Sequence, residues 1–227
     1  MNGIDKLRQE VCEQNRRLLE LGLVLFTEGN VSARFEGLMA IKPSGVPYDE
    51  LTTDAIAVLD IRTGKAVVGN LKPSVDAPIH LEIYRCCNFV GGIVHTHSPY
   101  ATAFAQAGVP IPCLGTTHAD EFLGDVPVAD FPTQFQANDY DTSTGRVIVN
   151  RLAPSGVKAV LLRGHGPFVV GGDASEAVKL AAILERVAGL AYLTLQIKNN
   201  PEPLPKYLAA FHFERKHGSK ASYGQNI

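Results

Sequence analysis

Phe89-Val90-Gly91-Gly92-Ile93-Val94-His95-Thr96-His97-Ser98 is an apolar run that ends in two histidines one residue apart. Its length and composition suit a buried strand, so His95 and His97 leave the strand end on the same face. Zinc accepts imidazole nitrogens readily, and ligands at i and i+2 on a rigid strand end fix one edge of a coordination tetrahedron. Two histidines in such a place can also be ordinary polar residues. Other donors bear on the choice: Asp76 upstream, and His165 in Arg163-Gly164-His165-Gly166-Pro167, where the flanking glycines let the backbone approach a site closely. Donors dispersed in this way are the pattern of an open, catalytic metal site.

The 227 residues suffice for one substantial core, and we expect a single domain, 1–227. With 45% hydrophobic and 19% charged residues and a net charge of -2, the composition is that of a soluble globular protein. Lysines and arginines are scattered, which gives nucleic-acid binding no support. The richest apolar segment, 180–197, is interrupted by Glu185, Arg186 and Gln196 at helical spacing and reads as a core helix rather than a membrane span. Met1-Asn2-Gly3-Ile4-Asp5 lacks the basic and apolar regions of a signal peptide, so a cytoplasmic location is expected. Cys12, Cys86, Cys87 and Cys113 form no Cys-x-x-Cys pair and are read as core residues or inert thiols. Any metal therefore falls to histidine and carboxylate.

Ile4, Leu7, Val11, Leu18 and Leu21 predict an amphipathic helix over 4–22. A turn at Gly29-Asn30 leads into a strand through Phe35, followed by a partner strand at 38–41 and a hairpin of 55–61 with 65–68. Pro78 suits the first turn of a helix over 77–87, and a second helix is expected over 99–107. Residues 110–122 read as loop, and 126–139 show no period. We expect a helix at 144–152, strands at 159–162 and 168–170, and a long helix capped by Asp173 or Ser175 and ending near Lys198. Pro201, Pro203 and Pro205 force an extended link before a short helix carrying His212 and His217, both read as surface residues. His80 reads as structural. Strands joined mostly through hairpins argue an α/β domain with a mostly antiparallel central sheet covered by helices on both faces.

Three loops precede the histidine pair: Gly29-Asn30, Lys42-Pro43-Ser44-Gly45 and Lys72-Pro73-Ser74. Exposed backbone N–H groups, hydroxyls, an amide and lysines could cradle a phosphate. Each loop taken singly is equally an ordinary surface turn. Asp120, in Thr116-Thr117-His118-Ala119-Asp120, is either a general acid or base or a turn-forming aspartate. Tyr223, by position alone, is a tail residue.

These pieces, together with Gly91-Gly92-Ile93-Val94-His95-Thr96-His97-Ser98, Gly164-His165-Gly166-Pro167-Phe168, Arg215-Lys216-His217-Gly218 and Tyr223-Gly224-Gln225, resemble the class II aldolase and L-ribulose-5-phosphate 4-epimerase family over nearly the whole chain. The similarity is greatest to the epimerase branch, since family aldolases carry Glu where Asp76 stands and lack the Thr-Thr-His-Ala-Asp loop. The resemblance implies a three-layer class II aldolase-like fold. It also implies Zn2+, with Mn2+ or Co2+ as substitutes, held by His95, His97 and His165 with Asp76 as an added ligand. Asn30, Lys42, Ser44, Gly45 and Ser74 would hold the substrate's phosphate. Asp120 and Tyr223 would be the acid/base pair, with the tail 201–227 reaching a neighbouring subunit of a homotetramer whose active sites lie at subunit interfaces. Val75, Glu28 and Val128-Ala129-Asp130 depart from the family pattern.

The implied reaction interconverts L-ribulose 5-phosphate and D-xylulose 5-phosphate by retro-aldol cleavage and re-addition at C3–C4, in arabinose catabolism. One alternative is a class II aldolase acting on a ketose phosphate such as L-fuculose 1-phosphate. Another, of a different class, is a non-catalytic adducin-like interaction domain, which predicts lost metal ligands.

Overall fold

The computed structural model describes residues 2–133, 139–152, 157–219 and 221. In chain order these form α1 (Gly3–Glu20), β1 (Asn30–Phe35), β2 (Leu38–Ile41), β3 (Ala57–Asp60), β4 (Ala66–Val68), α2 (Ala77–Cys86), β5 (Gly92–His95) and α3 (Pro99–Ala107). There follow α4 (Thr116–Glu121), β6 (Val128–Ala129), α5 (Tyr140–Leu152), β7 (Ala159–Leu162), β8 (Gly166–Gly171), α6 (Ala174–Ile197) and α7 (Lys206–His217).

The strands make one eight-stranded sheet in the order β4-β3-β2-β1-β5-β8-β7-β6, with β5 near its middle. Pairing is antiparallel throughout except for β6 against β7, so the sheet is mixed with an antiparallel majority. Alternation along each strand divides the core in two. Val31, Ala33, Ala40, Val58, Val94, Leu161 and Val169 face the layer of α1, α3 and α6. Met39, Ile41, Leu59, Ile93, Val160, Phe168 and Val170 face the layer of α2 and α5. Three layers of this kind match the expected α/β architecture.

The helices follow from local signals and are fixed by polar contacts to the sheet. Asn2 caps α1 by accepting from Asp5 N at 2.8 Å, and Leu7, Val11 and Leu18 carry its buried stripe. Asn15, fully buried on that stripe, accepts from Val31 N at 2.9 Å and donates to Val31 O at 3.1 Å, which ties α1 to β1. Asp173 caps α6 by accepting from Glu176 N at 2.7 Å. By length and composition α6 could cross a membrane, yet the face that includes Ala177, Leu180, Leu184 and Ala188 is buried in the core. Glu185 of α6 accepts from Tyr100 N and Ala101 N, each at 2.9 Å, and so caps α3 just after the histidine pair.

Several boundaries differ from expectation. Residues 116–121, expected as loop, form α4, held by packing against α7 and α6 rather than by any local period. α5 starts at Tyr140 rather than residue 144, and β8 begins at Gly166, because pairing with β7 extends it through Pro167. Val128–Ala129, in a segment without period, adds a two-residue strand at the sheet edge.

Candidate active site

Strand β5 delivers His95 at its last residue and His97 two positions on, and the turn between β7 and β8 returns His165 to the same place. The three imidazoles offer ligand nitrogens that all lie within 4.8 Å of one another, with ring centroids 4.8 to 5.0 Å apart. His95 is buried and stacked on Phe168 at 4.3 Å. Its Nδ1–H donates to the Pro167 carbonyl at 3.0 Å, which leaves Nε2 as the free lone pair. That Nε2 faces His97 Nε2 at 3.1 Å. Two nitrogens bound to one tetrahedral zinc ion lie roughly 3.3 Å apart, so the pair already approximates a coordination edge.

The local sequence explains this closeness. A Cβ on Gly166 would stand 2.5 Å from the Thr96 carbonyl and 3.3 Å from the His97 ring, so only glycine lets the two segments meet. Electrostatics agree with a ligand role. Burial, outweighing the raising effect of Asp76, pushes His95 down to about 3, and burial with His97 beside it lowers His165. Metal binding requires neutral imidazole, and these two are neutral at ordinary pH. The donor set fits a divalent cation.

Asp76, expected as an added ligand, sits at the N-cap of α2 and acts electrostatically on His95 and His165, but it is not among the donors that lie within 4.8 Å of one another. Burial opposes its charge, but the neighbouring His95 and His80 and the Asn30 amide outweigh burial and hold its carboxyl below the usual range. Asn30 Nδ2 donates to Asp76 Oδ2 at 2.7 Å and to Ser74 Oγ at 3.1 Å. Asn30 Oδ1 is buried and without a partner among the described residues, an acceptor turned inward beside the site. The two lysine loops are zipped together: Ser44 N donates to Lys72 O and Ser74 N to Lys42 O, each at 2.9 Å. Those two N–H groups are therefore spent on the loops. Ser44 and Gly45 are exposed, and a Cβ on Gly45 would meet only open space. Lys42 is buried, with Nζ donating to Thr27 O at 3.1 Å.

Asp120 lies on α4 and is engaged by α7. His212 Nδ1 donates to its Oδ1 at 3.0 Å, Arg215 donates to the same oxygen at 3.2 Å, and His217 Nε2 donates to its carbonyl at 2.8 Å. Glu121, buried next to it, pairs with Lys216. His212 and His217 clamp α4, a pairing of residues more than ninety positions apart that no local pattern announces; His217 is exposed, as expected, and His212 is partly buried. His80 is structural as expected, with Nδ1 against Ser32 Oγ at 2.8 Å. Tyr223 lies outside the described residues.

Sequence reasoning gave no site role to two carboxylates. Asp141, in the first turn of α5, is raised by burial and then by Asp76, with His165 opposing, which places it in the field of the cluster. Glu28 brings Oε2 to 3.6 Å from His97 Nδ1, the side of the ring that an orienting carboxylate would address. The acidic run Asp139-Tyr140-Asp141 was the available signal for the first, and the departure from the family pattern for the second.

The profile of the family described as "Class II Aldolase and Adducin N-terminal domain" matches residues 9–192. The chain belongs to this family. Solved structures agree. An L-fuculose 1-phosphate aldolase superposes with a TM-score of 0.80 at 28% identity, covering 92% of this chain and 95% of that one. YgbL from Klebsiella pneumoniae, a provisional aldolase/epimerase/decarboxylase, gives 0.76 at 28% over 93% and 99%. The L-fuculose-1-phosphate aldolase of Thermus thermophilus gives 0.70 at 26% over 86% and 98%. Members of the class II aldolase family are typically enzymes that use a divalent metal, and the triad of this member is positioned for one.

Proposed function

We propose that this chain is a sugar-phosphate epimerase that interconverts L-ribulose 5-phosphate and D-xylulose 5-phosphate. The observation that carries the reading is the convergence of three imidazoles, beside which Asn30 joins Ser74 to Asp76; the resemblance adds that family aldolases have glutamate where Asp76 stands, and that Asn30, Lys42, Ser44, Gly45 and Ser74 hold the phosphate. A divalent ion held by His95, His97 and His165, with Asp76 as added ligand, would supply Lewis-acid stabilisation of the negative charge that develops on the C2 and C3 oxygens.

The C4 hydrogen of a 2-ketopentose is not next to the carbonyl, so direct proton abstraction there is not assisted. Breaking C3–C4 is. A base removes the C4 hydroxyl proton, the C3–C4 electron pair moves toward the C2 carbonyl, and C4 becomes an aldehyde. Rotation of that aldehyde and re-addition of C3 to its other face, with protonation of the new C4 oxygen, gives the epimer. Asp120 and Tyr223 serve the two proton transfers from opposite faces. His212 and Arg215 fix the direction of the Asp120 carboxylate. Asn30 Oδ1 is an available acceptor for a sugar hydroxyl, and Lys42 and Ser44 meet the phosphate. Tyr223, on the tail 201–227, is contributed by the neighbouring subunit of a tetramer.

The likeness to L-fuculose 1-phosphate aldolases favours a second reading, cleavage of a ketose phosphate with release of the aldehyde. A coupled assay with L-ribulose 5-phosphate, with and without chelator, tests the first: chelator-sensitive formation of D-xylulose 5-phosphate is expected. Release of free aldehyde from L-fuculose 1-phosphate, with the pentulose inert, would establish the aldolase instead. A purified protein that takes up no divalent metal and leaves both substrates unchanged would point to an adducin-like role.

A further inference from the structure

Tyr48 belongs to none of the motifs above, yet it touches two of the three loops around the site. It is 1% exposed, and its hydroxyl lies 2.8 Å from the Glu28 carbonyl and 2.9 Å from the Gly29 carbonyl, donating to that pair. Its ring lies 4.7 Å below the Lys42 ammonium. We infer that Tyr48 is a positioning residue for the phosphate half of the site, holding the 28–30 turn through its hydroxyl and the Lys42 ammonium through its ring. The inference rests on the proposed phosphate cradle.

The turn needs holding because of where it leads. Gly29 has φ +70°, and a Cβ there would stand 2.8 Å from the His95 carbonyl, so the turn is pressed against the end of β5. The next residue is Asn30, whose amide joins Ser74 to Asp76. A turn released from Tyr48 would move Asn30 and, through Ser74, the loop zipped to Lys42.

Lys42 is held in an unusual way. Among the described residues no carboxylate pairs with it; its contacts are the Thr27 carbonyl and the face of Tyr48. Burial alone brings the amine down to about 8, whereas Glu28 and Asp76 act on Tyr48 and add to the burial that keeps its phenol un-ionised. The aromatic face steadies a cation by its quadrupole without neutralising it. An arriving phosphate dianion then supplies the missing counter-charge, and its affinity should fall as pH rises through about 8.

The test measures inorganic phosphate binding to the zinc-loaded full chain, alongside KM and kcat for the sugar phosphate. Lys42→Met sets the loss when the cradle is disabled. Tyr48→Phe, which removes one hydrogen-bonding hydroxyl, is expected to weaken phosphate binding about fivefold and to raise KM in proportion, with kcat within about twofold. Its pH midpoint should stay near 8 because the ring remains. Tyr48→Leu should weaken binding further and move that midpoint upward, as the amine gains water; where its melting curve shows it unfolded, Tyr48→Phe alone decides. Unchanged phosphate affinity in Tyr48→Phe, with Lys42→Met impaired, overturns the role of Tyr48 only. Unchanged affinity in Lys42→Met overturns the cradle and this inference together.

Discussion

Adding a single methyl group at Gly166 should cost the protein its metal before its fold. The new Cβ of Gly166→Ala would stand 2.5 Å from the Thr96 carbonyl oxygen, a backbone atom with no rotamer to yield. An ordinary carbon–oxygen contact is longer by roughly 0.7 Å, so either the 96–97 segment or the 165–167 segment must move by about that much. Overpacking of this kind costs about 1–3 kcal/mol, which the eight-stranded sheet should survive. Ligand distances at a metal tolerate only about 0.2 Å, and both displaced segments carry a ligand. We therefore expect zinc affinity, measured by competition with a chromogenic chelator, to fall at least about tenfold, while the melting curve keeps one cooperative transition. A folded Gly166→Ala protein with undiminished zinc affinity would refute the claim that His97 and His165 share an ion.

Asp120→Asn and Tyr223→Phe should each keep zinc stoichiometry yet lose turnover by about a hundredfold or more; an unimpaired double variant would remove both from the mechanism. Asn15→Leu leaves the Val31 N–H and C=O unpaired beneath α1 and should lower unfolding stability by roughly 2–4 kcal/mol, read from urea midpoints. Acid should destabilise the metal-free protein through His80, which burial pushes down to about 4, with Asp76 opposing. The unfolded chain binds that proton at about pH 6.5, so the contribution of His80 is intact above that value and is lost as pH falls toward 4. His80 alone should contribute a slope of up to about 1.4 kcal/mol per pH unit, to which buried His95 adds in the same direction, and a flat stability between about pH 6.5 and about pH 4.5 would contradict it.

What the sequence disclosed follows a physical divide. His95 and His97 were legible because one apolar strand orients both, and His165 because glycines bracket it; the caps at Asp173 and the strand run before His95 are equally local signals. The burial of Lys42 was not legible, since nothing in Lys-Pro-Ser-Gly foretells an aromatic ring 4.7 Å away. α4 is not legible because six residues hold less than two turns and no hydrophobic period, and because the side chains that fix it, those of His212, Arg215 and Lys216, come from the far end of the chain. Asp141 and Glu28 act through space on histidines that only folding brings near. Tertiary electrostatics leave little trace in spacing.

The central claim is that His95, His97 and His165 grip one divalent ion. Metal analysis of the purified chain beside its His165→Ala variant tests it most directly. One ion per chain in the parent and a strong loss in the variant are the predicted results; a parent that takes up no divalent metal, or a variant that holds it as tightly, would contradict the account.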